Sequence, residues 1–102
     1  VDLVWDDEAL ADLEDFFNWI AQENPGAAKT VVDRLFSSTE LLIDFPFMGH
    51  AGREPNAFEW AVPRLPYIVV HEVNYAQQRI VVTAVITARA MLPSQLSQAM
   101  IY

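Results

Sequence analysis

The chain of 102 residues has no cysteine, which excludes disulfides, thiolate-bound metals and a cysteine nucleophile. Positive charge is scarce too: six Lys and Arg stand against 14 Asp and Glu, a formal net charge of −8. Polyanion binding draws most of its affinity from phosphate neutralisation, so a chain this acidic is a poor candidate for binding nucleic acid on its own. No apolar run reaches the roughly 18 residues a membrane span needs, and no basic segment followed by an apolar one suggests a leader. The expectation is a cytoplasmic protein with no membrane contact, no metal and no cofactor. What is present is apolar surface: 53% of the residues are hydrophobic, enough for one domain spanning residues 1–102.

The negative charge is not evenly spread. Residues 1–44 hold 11 of the 14 acids against Lys29 and Arg34, a balance of −9, whereas residues 45–102 carry three Glu against four Arg, a balance of +1. An acidic first half is a solvated face or a docking surface for a basic partner.

Residues 57–89 organise the rest. Three runs rich in Val, Ile and aromatics, Ala57–Pro63, Leu65–Val73 and Arg79–Arg89, are separated by a Pro-bounded turn and a polar one, which predicts three strands joined by two hairpins. Residues 2–5 read as a further strand, closed by Asp6-Asp7. From Glu8 to Glu23 the residues Leu10, Leu13, Phe17 and Ile20 recur at three and four, predicting an amphipathic helix capped by Asp6 or Asp7, with Asp12, Glu14, Asp15, Asn18 and Gln22 on the far side. Asn24-Pro25-Gly26 stops this helix and starts a second that runs to about Asp44. A Pro- and Gly-punctuated loop follows, and Pro93-Ser94 opens a short last helix with Leu96, Met100 and Ile101 as its apolar contacts. The predicted class is α+β, β-α-α-β-β-β, with a helical hairpin packed on a small, mainly antiparallel sheet.

In order and spacing these motifs resemble the RelE/ParE toxin superfamily, most closely its ParE branch. The likeness rests on a short strand ending in Val4-Trp5, an acid-capped helix, the N-P-x-A-A turn at Asn24–Ala28, the L-x-x-x-P-x-x-G run from Leu42 to Gly49, the R-L-P-Y-I-V-V stretch from Arg64, and a last strand closing on Ala88-Arg89 with Pro93 after it. The resemblance implies the toxin of a type II toxin–antitoxin pair, bound in a hetero-oligomer by a ParD-like antitoxin. ParE-branch members act on DNA gyrase and block replication; RelE-branch members are ribosome-dependent mRNA endonucleases.

The two activities make different chemical demands. In-line attack by a ribose hydroxyl needs a base, an acid and cations at the phosphate. The groups available for a nuclease are His71, Arg79, Arg89 and Glu59. His71 shares strand parity with Tyr67, Val69 and Val73, Glu72 points the other way, and Glu59 would orient His71 only if the first two of the three strands pair in suitable register. Phe58 stands where the family usually has an arginine before its glutamate, His71-Glu72 replaces a pair that often carries arginine, and His50 replaces a loop arginine. These losses of positive charge favour a gyrase-directed toxin that is not an enzyme. The alternatives are a RelE-type endonuclease and a non-toxic antitoxin-binding module. Candidate contacts to target or antitoxin are Trp19, Phe58, Trp60, Tyr67, Arg89, Met91 and Leu92; for the sheet-facing aromatics the other reading is core packing. Arg89 is equally suited to a structural ion pair.

Overall fold

In the computed structural model, residues 1–52 and 54–88 are described. The elements are β1 (Asp2–Trp5), α1 (Asp7–Ala21), α2 (Pro25–Thr39), a 3₁₀ turn (Glu40–Ile43), β2 (His50–Ala51), β3 (Ala57–Ala61), β4 (Tyr67–Asn74) and β5 (Arg79–Thr87). Local chemistry sets their starts. Asp6 accepts from the Ala9 N–H at 2.9 Å, and Asn24 accepts from the Ala27 N–H at 3.0 Å with Pro25 opening α2. Each cap satisfies an N–H that the helix leaves unpaired.

The expected α+β order of two helices and then three strands is present, with two differences. The second helix gives way to the tighter 3₁₀ turn after Thr39, whose buried hydroxyl donates back to the Leu35 carbonyl at 2.6 Å. Of Leu41, Leu42 and Ile43, Leu42 alone is buried, so this apolar run does not extend the helical face. The punctuated loop also holds β2, a two-residue strand pairing with β3, too short to leave a periodic signal. The last short helix expected from Pro93 lies outside the described residues.

The five strands lie in the order β1-β5-β4-β3-β2, with β1 parallel to β5 and the other pairs antiparallel. One face carries Trp60, Tyr67, Val69, Ile80, Val82 and Val85 into a core shared with Ala9, Leu13 and Ile20 of α1 and Ala28, Val31 and Leu35 of α2. A bulge makes this set possible. Val70 pairs with Ala84 but His71 pairs with Val82, so Thr83 is the extra residue. Inward positions on β5 therefore switch from even (Ile80, Val82) to odd (Val85), as an inserted residue requires.

Helix and sheet are tied by Asp12. Where β1 ends, the Val85 N–H of β5 donates to Asp12 Oδ2 at 2.9 Å. Asp12 is thus half-buried against the sheet rather than on the solvent side of α1, because a strand N–H past the end of its neighbour needs an acceptor.

Candidate functional site

His71 is the most conspicuous titratable group in the sheet. It sits on the inner face of β4 at 0% exposure, beneath the loop that follows the 3₁₀ turn. Its Nε2 lies 2.8 Å from the Pro46 carbonyl oxygen. That oxygen only accepts, so Nε2 carries the proton and Nδ1 holds the lone pair. Nδ1 has no partner among the described residues. Burial lowers the pKa of the ring, and the bond to Pro46 opposes that shift only in part, so the imidazole is neutral at pH 7.

The ring is closed in by aromatics. Phe58, opposite His71 on β3, stacks on it with centroids 5.5 Å apart at 23°, and Phe47 meets Phe58 edge-on at 5.6 Å. The loop is held at a second point by Gly49 (φ 97°), where a Cβ would lie 2.3 Å from the Glu59 carbonyl oxygen. Only glycine combines that backbone angle with so close an approach.

The other groups considered for a nuclease do not converge on this ring. Glu59 pairs across from Val70, not His71, so it points to the outer face and cannot orient the imidazole. Its carboxylate instead comes within 3.9 Å of His50 Nε2 at the β2 edge. Glu72 is exposed, also on the outer face. Arg79 opens β5 opposite Asn74, exposed and on the same side as Glu72 by strand alternation. Arg89 lies outside the described residues. Among the described residues there is no group of three or more His, Asp and Glu able to hold a metal ion.

The candidate binding residues also separate. Trp60 and Tyr67 are core residues, 7% and 0% exposed, out of a partner's reach. Burial pushes the Tyr67 phenol up to about 12, and its Oη has no partner among the described residues. Trp19 is half-buried against the core, and Phe58 is covered by His71 and Phe47. Met91 and Leu92 lie outside the described residues. Among the described residues the most exposed aromatics are Phe45, Phe47 and Tyr75, at 59%, 51% and 60% exposure. Phe47 stacks on Tyr75 at 5.9 Å and 27°, and hollows of about 410 and 360 Å³ flank it. Periodicity could not single these residues out, since they stand in a loop and a turn. Their signal was the F-P-F sequence in a segment with no apolar repeat.

Comparison with known proteins agrees with this architecture. A solved structure of the chromosomal ParDE toxin–antitoxin system from P. aeruginosa superposes with a TM-score of 0.74 at 18% identity, over 85% of this chain and 95% of that one. The isolated E. coli RelE toxin superposes at 0.63 and 16% identity, over 99% and 98%. At such identities the likeness is one of fold. A Sinorhizobium fredii protein named as a candidate toxin, Y4kP, is 29% identical over 70 residues, 69% of this chain and 73% of its own length. The family model for the ParE toxin of the type II toxin–antitoxin system parDE matches residues 3–91, and the chain therefore belongs to the ParE toxin family.

Proposed function

We propose that this toxin acts by binding DNA gyrase and blocking replication, without catalysis of its own, until a ParD-like antitoxin engages it. The observation that carries the non-enzymatic part is the state of His71. It is buried and neutral, with its N–H committed to a backbone carbonyl of its own chain and Phe58 stacked on its face. A general base must reach the proton it removes, and this ring reaches none outside the fold. Gyrase as the target follows from the family and from the loss of cations at positions 50, 58 and 71. Such a target puts the protein in the cytoplasm.

Purified toxin added to a gyrase supercoiling reaction, and in parallel to a translation reaction with intact mRNA, tests the proposal. Inhibited supercoiling with intact message is the expected outcome. Cleaved message would establish the endonuclease, and no effect in either assay, with no growth arrest on expression, would leave an antitoxin-binding module.

A further inference from the structure

Two phenylalanines stand in water on a turn whose backbone holds them outward. Phe45 and Phe47 flank Pro46 and are each more than half exposed. The chain beneath them is fixed at several points. The Asp44 and Phe45 N–H groups both donate to the Leu41 carbonyl, and the Met48 N–H donates to the Phe45 carbonyl at 3.1 Å, which closes a turn with proline at its second position. Pro46 is held in addition by His71, and Gly49 lies against the β3 backbone. A surface fixed in this way loses little freedom when something binds to it.

Residues 44–48 line the hollow of about 410 Å³ on one side of Phe47, and its charged group is Asp44. The Asp44 side chain is exposed and takes part in neither of the ion pairs formed among the described residues, Lys29 with Asp33 and His50 with Glu59. The hollow on the other side of Phe47 is the reverse, lined by Arg79 and no acid. Phe47 is stacked on Tyr75, whereas Phe45 packs on no other ring among the described residues. We propose that the Asp44 hollow receives an arginine side chain of a partner protein, its guanidinium paired with the Asp44 carboxylate and laid over the Phe45 ring. The inference stands whether or not gyrase is the target.

Arginine meets both demands of the hollow at once. The face of an aromatic ring attracts a cation within about 6 Å of its centroid, and a planar guanidinium stacks there while its edge N–H groups donate to a carboxylate. Lysine, a compact and strongly hydrated charge, does this less well. The rest of the molecule favours the same sign, since a chain of net charge −8 draws cations from a distance. An uncharged apolar guest would strip water from Asp44 and return no charge. An acidic guest is repelled, and a second copy would bring together two molecules of net charge −8.

The test is a titration of the ¹⁵N-labelled full chain, at pH 7 and low salt, with the capped peptide Gly-Leu-Arg-Leu-Gly. Saturable shifts should centre on the backbone amides of Phe45, Phe47 and Met48, with smaller ones at Val73 and Ile80 beside Arg79. Replacing the arginine by citrulline, which keeps the shape without the charge, or by glutamate should weaken binding about fivefold or more. Asp44→Asn should weaken the arginine peptide about threefold or more, and so should Phe45→Leu, which keeps apolar bulk and loses the ring. Both positions are exposed, and circular dichroism checks that each variant is folded; either one suffices. Equal binding of the citrulline or glutamate peptide, shifts centred on the Arg79 hollow, or no saturation by about 10 mM peptide would overturn the proposal. So would variants that bind as the parent does, or shifts at these amides that grow with protein concentration alone and mark a second copy as the occupant.

Discussion

His71 and Tyr67 point into the same interior and make opposite predictions about pH. The His71 ring is held neutral in the fold, with its pKa lowered by burial. Below the ordinary histidine value of about 6.5 the unfolded chain binds a proton that the folded chain does not. Stability therefore falls as pH drops through that value, down to the depressed pKa of the folded state. Urea unfolding from pH 8 to 5 should show this loss, and His71→Phe should abolish most of the slope while costing about 1 kcal/mol at pH 7 through the lost Pro46 bond. Tyr67 behaves in reverse. Its pKa is raised to about 12, so between about 10 and 12 the folded chain keeps a proton that the unfolded chain has lost, and stability falls as pH rises across that interval. Tyr67→Phe removes a buried hydroxyl with no partner among the described residues. It should leave stability unchanged or raise it by about 1 kcal/mol, read as a shift in the urea midpoint.

Among the elements, the joints are more informative than the strands. Asp12 closes the sheet edge where β1 stops, and Asp12→Ala should cost about 1.5–3 kcal/mol in denaturant unfolding, the range for a hydrogen bond to a charged group. Asp12→Asn keeps an acceptor and should lose less. Gly49→Ala should also destabilise, by about 2 kcal/mol or more, since it forces a left-handed backbone angle and drives a methyl group into the β3 backbone. Its effect on Phe47 would be visible as a change in the near-ultraviolet signal of the aromatic cluster. The strands and helices themselves were legible in the sequence, because Val, Ile and aromatic runs and the Asp6 and Asn24 caps act locally. The joints were not. Asp12 reads as a solvent-facing helix residue because its partner is 73 positions away. The bulge at Thr83 is silent because it changes which face a residue takes without changing composition. Glu59 looked able to reach His71 because a sequence does not give register, and Trp60 and Tyr67 looked like contact residues because an aromatic suits a core and an interface equally.

On the scale of the whole molecule, charge and surface are divided between the two halves of the chain. With 11 acids and two bases in residues 1–44, the antitoxin segment that meets residues 6–23 should be basic. Its complex should dissociate more readily as ionic strength rises, since such attraction is screened by salt; a dissociation constant insensitive to added salt in a calorimetric titration would show that apolar contacts dominate. The pairing of β1 with β5 has a different consequence, in the order of chain synthesis. Asp2 lies beside Arg79 and Trp5 beside Val82, so among the described residues β1 has no strand neighbour until β5 exists. Pairing across so long a loop is slow to form and comes late in folding. A nascent chain that has emerged only as far as Gln78 lacks the strand that β1 pairs with. Closure of the sheet over the helical hairpin therefore waits for β5 to be made.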